Sequence, residues 1–142
     1  MATEENAAVV QRLFERFNEG DLDGAMALAA EDCELVDLPS GQRLQGPEGL
    51  RRWLAVFCTA GPDAHTELTN SLVAGDWVAT EHVGRFTHTG PLPSPSGVIA
   101  PTGRTVELAF AEIYRLRSGR LVLLRAYYDL ATLLRQLGLL PA

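Results

Sequence analysis

The chain has 142 residues, a length typical of one domain with a single hydrophobic core. Its composition is 46% hydrophobic and 21% charged, as in ordinary globular proteins. The formal net charge of -6 argues against nucleic acid or an anionic membrane surface as a partner, because both require a basic face. All 12 basic residues are arginine, so the chain has no lysine amine for Schiff-base chemistry.

The cysteines and the N-terminus give information on the cellular location of the protein. Cys33 and Cys58 lie far apart and have no metal-ligand spacing, which favours free thiols. The N-terminus is acidic and lacks the apolar core of a signal peptide. No apolar run approaches the ~18 residues that a membrane span requires. We therefore expect a soluble cytoplasmic protein without a metal site at its cysteines.

Three helices are predicted in the first part of the chain, where apolar residues recur at spacings of three and four. The first covers residues 5–19, and a short second helix follows the capping residue Asp21. A short strand over residues 33–38 comes next. The third helix begins at Pro47 and stops before Gly61. The aromatic residues of these helices that we assign to the core or a pocket wall are Phe14, Phe17, Trp53 and Phe57.

From residue 65 onward the apolar period changes to two, which predicts strands. The predicted strands are 65–74, 77–89, 104–115 and 121–129. A Pro-rich loop at 91–97 interrupts them and is either a harmless insertion or a pocket rim. A short helix closes the chain. The pattern predicts an α+β fold in one domain, residues 1–142, with a curved antiparallel sheet wrapped around three N-terminal helices.

The register of the last hairpin decides which of its charged residues pair. If Ser118-Gly119 is a two-residue turn, Glu112 faces Arg125, and their ion pair offsets the cost of burying both charges. Asp129 is then left among apolar side chains, where burial raises its pKa and suits it to acid–base chemistry. A bulge at Gly119 is the alternative. It shifts the register by one residue and removes the Glu112–Arg125 pair.

The same register predicts two apolar faces on the hairpin. The inner face consists of Leu108, Phe110, Glu112, Tyr114, Leu123, Arg125, Tyr127 and Asp129. The outer face consists of Ala109, Ala111, Ile113, Val122, Leu124, Ala126 and Tyr128. Since the three helices cannot cover both faces of one sheet, we expect the outer face to form a homodimer interface.

Several motifs, in this order and spacing, resemble those of the SnoaL-like polyketide cyclases, within the nuclear-transport-factor-2-like superfold. They are Phe17-Asn18-Glu19-Gly20-Asp21-Leu22-Asp23, Thr87-His88-Thr89-Gly90, Ile99-Ala100-Pro101-Thr102-Gly103-Arg104, the Ser118-Gly119 hairpin, and Asp129 followed by Leu133-Leu134-Arg135-Gln136-Leu137-Gly138. The chain departs from the family at Phe86, where a glycine is usual, and in its longer Pro-rich loop.

The resemblance implies a cone-shaped domain with a deep apolar pocket, usually in a dimer or tetramer. It also implies a cofactor-free intramolecular aldol cyclisation of an aromatic polyketide, with Asp129 as the general acid and base. Relatives on the same fold include epoxide hydrolases, ketosteroid isomerases and cofactor-free oxygenases, so the fold alone does not fix the reaction. A non-catalytic module that binds an apolar ligand is a third interpretation.

Each candidate residue also has a structural interpretation. Asp129 precedes the closing helix and suits its N-cap. Glu112 and Arg125 either form a structural ion pair or orient substrate. Tyr127 either donates a hydrogen bond to a developing enolate or packs with its hydroxyl at the rim. His88 either lines the pocket or bonds structurally, and its spacing from His82 makes a poor metal site. Phe110 lies on the predicted inner face.

Overall fold

The computed structural model describes residues 2–140, with side chains from residue 4 onward. Met1, Pro141 and Ala142, which the predicted domain 1–142 includes, lie outside the described residues. The predicted α+β fold is confirmed: a curved, mainly antiparallel sheet packs against helices, and a short helix follows the last strand. No helix of the described part of the chain has the length and apolar content needed to cross a membrane.

Three of the four helices described lie in the first 60 residues, and the fourth follows the last strand. They are α1 (Ala2–Asn18), α2 (Leu22–Met26), α3 (Gly46–Ala60) and α4 (Leu130–Gln136). The strands are β1 (Ala29–Asp37), β2 (Gln42–Gln45), β3 (His65–Ala74), β4 (Trp77–Thr87), β5 (Leu92–Ser94), β6 (Gly97–Ile99), β7 (Thr105–Arg117) and β8 (Arg120–Tyr128). The first strand begins at Ala29 rather than at Cys33. The Pro-rich loop is not irregular, because it forms the small β5–β6 hairpin.

The main sheet has the strand order β2-β1-β8-β7-β4-β3. All neighbours are antiparallel except β1 and β8, which run parallel. The parallel pair joins strands from opposite ends of the sequence and places Asp37, the last residue of β1, beside Ala126. Helices α1 and α3 pack on one face of the sheet, and the buried core lies between them and that face.

The turn between β7 and β8 is the predicted two-residue turn, with Arg117 opposite Arg120. Ser118 and Gly119 have φ angles of 52° and 75°, as a hairpin turn with two left-handed residues requires. The register changes immediately afterwards. Leu116 pairs with Leu121, but Arg115 pairs with Leu123, so β8 holds one extra residue, Val122, in a bulge.

The bulge makes the predicted Glu112–Arg125 pair wrong. Glu112 faces Ala126, and Arg125 faces Ile113 on the opposite face of the sheet. Because side chains alternate along a strand, the slip of one residue exchanges the two faces of β8 beyond Val122.

The inner and outer faces of β8 are therefore the reverse of those predicted. Leu124, Ala126 and Tyr128 point toward the core, where Leu124 and Ala126 are fully buried. Arg125 and Tyr127 point outward, and the guanidinium of Arg125 lies 5.8 Å from the centre of the Trp77 ring. The faces of β7 are as predicted, with Leu108, Phe110, Glu112 and Tyr114 buried.

Candidate active site

An apolar cavity, called here the inner cavity, lies between helices α1 and α3 and the inner faces of β4 and β7. Its volume is about 60 Å³. Its wall is mainly aromatic and aliphatic and includes Phe14, Phe17, Trp53, Phe57, Leu108 and Phe110. Two buried titratable side chains on the central strands, His82 of β4 and Glu112 of β7, also line it. The cavity thus combines an apolar wall with a carboxyl group.

Glu112 lies in the middle of β7 and alternation turns its side chain inward, where it is 4% exposed. The hydroxyl of Tyr114 donates a short hydrogen bond to its Oε1, and Thr80 Oγ1 donates to the Tyr114 hydroxyl at 3.4 Å. No arginine pairs with Glu112 among the described ion pairs.

The pKa of Glu112 follows from this burial. Desolvation raises it to about 7, against the lowering effect of the Tyr114 hydrogen bond, and the charge of Asp37 adds to the increase. Burial and the neighbouring carboxylate also raise the pKa of Tyr114 well above its ordinary value, so the phenol keeps its proton and remains a donor. A carboxyl group with a pKa near 7 both takes and gives protons at neutral pH.

His82 shares this environment. Its ring stacks on Phe110 at 4.7 Å between centroids and meets the edge of Phe14 at 4.8 Å. Burial lowers its pKa to about 4, so the imidazole is neutral at pH 7. Its Nδ1 lies 3.9 Å from Glu112 Oε1, beyond hydrogen-bond distance, and has no partner among the described residues. Neutral imidazole and carboxyl thus face one another across a small gap.

A second, larger space adjoins the inner cavity and is called here the outer chamber. Its volume is about 380 Å³, and it lies between α3, β2, β5 and α4. The two spaces share the side chains of Trp53, Phe57, Leu92 and Leu133 as walls.

Asp37 stands at the inner end of this chamber and is 4% exposed. The indole Nε1 of Trp53 donates to Asp37 Oδ2 at 2.9 Å. The hydroxyl of Tyr128 lies 3.0 Å from both carboxylate oxygens. Burial raises the pKa of Tyr128, with the Asp37 charge as a further cause. These bonds fix the indole, which lines both spaces, and the phenol, which lines the outer chamber.

The sequence comparison places the chain in a family. A family model described as SnoaL-like polyketide cyclase matches residues 7–137. The chain belongs to the SnoaL-like polyketide cyclase family. A search of curated proteins finds no significant match.

Solved structures similar to the chain have the same fold. IdmH from Streptomyces antibioticus, described as a polyketide cyclase, is 28% identical, with a TM-score of 0.78 over 94% of this chain and 98% of that one. A protein from Jannaschia sp. CCS1 described as a SnoaL-like polyketide cyclase is 21% identical, with a TM-score of 0.86 over 99% and 96%. AclR from Streptomyces galilaeus, described as a hydroxylase, is 22% identical, with a TM-score of 0.84 over 99% and 89%.

Asp129, the predicted general acid and base, does not lie where the sequence predicted. It is exposed, lines neither the inner cavity nor the outer chamber, and caps α4. Its Oδ1 accepts from the backbone N–H groups of Ala131 and Thr132, and its Oδ2 accepts from Thr132 Oγ1 at 2.8 Å. The Thr132 bonds lower its pKa, so the predicted increase is also wrong.

Three other predicted pocket residues lie elsewhere. Arg125 and Tyr127 are on the outer face because of the bulge at Val122. His88 is fully buried and lines neither space; its Nδ1 lies 2.9 Å from Thr102 Oγ1 and accepts from the Thr102 N–H. His88 therefore bonds structurally. The predicted residues that do line the inner cavity are Phe14, Phe17, Trp53, Phe57, Phe110 and Glu112.

Sequence reasoning missed His82 and Asp37 as site residues. His82 had a signal, since it alternates with Thr80 on a strand that faces the core. Asp37 gave no such signal, because β1 also carries Glu31, Asp32 and Glu34 and the contact of Asp37 with Tyr128 depends on the parallel β1–β8 pairing, which no local pattern indicates. No cluster of three or more His, Cys, Asp or Glu side chains in the described part of the chain is arranged to hold a metal ion.

The raised pKa of Glu112 predicts a pH-dependent cost in stability. Between its unfolded pKa near 4.5 and its folded pKa of about 7, the folded state binds more protons than the unfolded state. The free energy of unfolding of the wild type, relative to Glu112→Gln, should therefore fall by about 3 kcal/mol as pH rises through this window. Urea denaturation of both proteins at several pH values measures this difference. A difference that does not vary with pH would contradict the assignment.

The cap geometry of Asp129 predicts different thermal stabilities for two substitutions. Asp129→Ala removes the acceptor for two backbone N–H groups and should lower Tm by roughly 3 °C. Asp129→Asn keeps an acceptor oxygen and should stay near the wild-type Tm, because Asn is an equally good cap. Circular dichroism melts measure both values. Equal losses in the two variants would show that the charge, not the cap, is what stabilises α4.

Proposed function

We propose that the chain is a cofactor-independent polyketide-cyclase-like enzyme that performs acid–base chemistry on an aromatic or polycyclic polyketide-like molecule. Family membership supports the reaction class. The observation that carries the assignment is Glu112, a buried carboxyl group without a cationic partner, in the wall of an apolar cavity. Glu112 takes the role that the sequence assigned to Asp129.

In an aldol cyclisation, Glu112 would take one proton and later return it, so it would end the reaction in its starting form. The carboxylate takes a proton from a carbon next to a carbonyl group, and the enolate carbon attacks a second carbonyl of the same molecule. The alkoxide formed by that attack then receives the proton from the Glu112 carboxyl, which returns to its ionised form. A pKa of about 7 suits both half-steps near neutral pH. Without a lysine, the reachable carbons are those acidified by carbonyl groups or an aromatic ring.

Two neighbours support this chemistry. The Tyr114 hydroxyl holds Glu112 Oε1 in one orientation, which presents the other carboxyl oxygen to a substrate. His82 is a neutral imidazole beside the same group and can donate a hydrogen bond to a developing oxyanion. The aromatic walls pack against flat rings and exclude water.

Two alternatives lead to different products. AclR is described as a hydroxylase, so oxygenation on this fold is the second candidate, with epoxide hydrolysis or isomerisation beside it. Isotope from labelled dioxygen or labelled water in the product would indicate these reactions. A binding module without catalysis would retain ligand without any turnover. The cytoplasmic location remains part of the proposal and agrees with the free thiols of Cys33 and Cys58.

Hydrogen exchange on a model ketone tests the role of Glu112. Carbon 1 of 2-tetralone lies between a carbonyl group and an aromatic ring, so its exchange with D2O needs only a base in an apolar site. The wild type should accelerate this exchange, with the rate rising through pH 7 as Glu112 ionises. Glu112→Gln should lose the acceleration by about 100-fold or more. Proton NMR of the ketone measures each rate.

The matched control is Asp129→Asn, which removes the other candidate carboxylate and keeps the α4 cap. It should retain the exchange rate of the wild type. Loss of exchange in Asp129→Asn together with normal exchange in Glu112→Gln would return the catalytic role to Asp129. Normal exchange in both variants would exclude both carboxylates.

We also propose a homodimer formed through the outer face of the sheet. That face carries the small residues Ala109 and Ala111, and Tyr127 lies directly opposite Ala111. The aromatic side chains of Trp77 and Tyr127 are 39% and 43% exposed there. Charged residues such as Arg85 and Glu107 lie on the same face, so the surface that a second copy would cover is the patch of these small and aromatic residues.

A charge at the centre of this face tests the dimer. Ala111→Arg should convert the dimer to a monomer, because a long, hydrated side chain in place of a methyl group would hold the two sheet faces apart. Gln11→Arg adds the same charge on the exposed surface of α1 and should leave the dimer intact. Size-exclusion chromatography with light scattering measures the mass of each protein. A monomeric wild type would contradict the proposal.

A further inference from the structure

The sizes of the two spaces restrict how a substrate can lie. The inner cavity, at about 60 Å³, accommodates only a small part of an aromatic molecule, whereas ligand pockets usually measure about 300 Å³ or more. The outer chamber has about 380 Å³ and shares four wall residues with the inner cavity. A substrate whose reacting carbon meets Glu112 is therefore larger than the inner cavity, and the outer chamber is the adjoining space that offers room for the rest of it.

The outer chamber has an apolar interior and a polar mouth. Val56, Phe57, Leu134 and Ile99 contribute apolar wall. Arg52, on the exposed side of α3, also lines the chamber. A flat apolar body thus meets a guanidinium group at one end of the space.

Arg52 differs from its neighbours in having no ion-pair partner. Arg51 binds Asp23 at 2.9 Å, and Arg43 lies 3.5 Å from Glu34. Arg52 takes part in none of the ion pairs found among the described residues. In a chain with a net charge of -6, general electrostatics repels anions, so binding an anion depends on a particular cation of this kind.

Asp37 fixes the direction in which an acidic ligand would lie. Its carboxylate occupies the deep end of the chamber, with both oxygens engaged by Trp53 and Tyr128. A ligand carboxylate placed there would meet a like charge and find no free donor on these two side chains. At the mouth, the planar guanidinium of Arg52 offers donors that match a carboxylate.

We propose that the outer chamber binds an elongated aromatic molecule bearing a carboxylate, and that Arg52 selects it by pairing with that group at the mouth. The inference rests on the proposed function, since it takes the reacting end of the molecule to lie at Glu112. The substrate class is thereby narrowed to aromatic acids, with the acid remote from the reacting carbon.

A pair of isosteric probes tests the selection. Biphenyl-4-carboxylate and biphenyl-4-carboxamide have the same shape and differ in charge. The wild type should bind the acid roughly fivefold more tightly than the amide, as a rim-exposed charged hydrogen bond allows. Arg52→Gln should bring the two affinities together, and Arg52→Lys should keep part of the preference. Isothermal titration calorimetry measures each affinity.

Arg51→Gln is the matched control, because it removes one positive charge from the adjacent position of α3 and does not line the chamber. It should keep the preference for the acid. The proposal is overturned if the wild type binds both probes equally, if it binds neither, or if Arg51→Gln loses as much preference as Arg52→Gln.

The two proposals fail separately. The 2-tetralone experiment uses a molecule without a carboxylate and asks only whether Glu112 is required. The biphenyl experiment measures binding without turnover and asks only whether Arg52 distinguishes acid from amide. Acid selection without Glu112-dependent exchange would refute the catalytic role alone, and the reverse result would refute the ligand class alone.

Discussion

A single extra residue in β8 determines the chemistry of the interior. The left-handed conformations of Ser118 and Gly119 fix a tight turn, and the bulge at Val122 follows it after one further pair. Beyond the bulge every side chain of the strand lies on the face opposite to that of an unbulged hairpin. Tyr128 consequently reaches Asp37, while Arg125 leaves the interior for the Trp77 ring. The interior keeps a carboxyl group at Glu112 and receives no guanidinium from β8.

Burying Glu112 in this way costs stability, and the surrounding structure offsets part of the cost. Tyr114 and Thr80 form a chain of hydroxyl groups that ends on its Oε1, which satisfies this oxygen, although the nearby His82 Nδ1 has no partner among the described residues. The same chain leaves the proton affinity of the group high, because its members are neutral donors, not cations. An arginine beside Glu112 would stabilise the ionised carboxylate, lower its pKa and make it a weaker base.

The sequence was sufficient for most of the fold, because helical and strand periods are local signals. It was insufficient for the register, because Leu121-Val122-Leu123-Leu124 is apolar throughout and fits either face equally well. The pairing of β1 with β8 was also invisible locally, since it joins residues from opposite ends of the chain. The aromatic wall followed from periodicity alone. The charged residues did not, because their positions depend on a one-residue difference in a neighbouring strand.

The buried position predicted for Asp129 was wrong for the same reason, the one-residue change in the register of β8. A buried carboxylate without a cationic partner marks the candidate site, and the bulge at Val122 changes which residue fits that description. With Arg125 turned outward, Glu112 becomes the carboxyl group without a partner, and Asp129 falls beyond the last residue of β8 at the start of α4. There, two backbone N–H groups and the Thr132 hydroxyl satisfy it in contact with solvent, which favours its ionised form. These hydrogen bonds make Asp129 a weaker base than an ordinary aspartate, whereas burial raises the pKa of Glu112 and makes it the stronger base of the two.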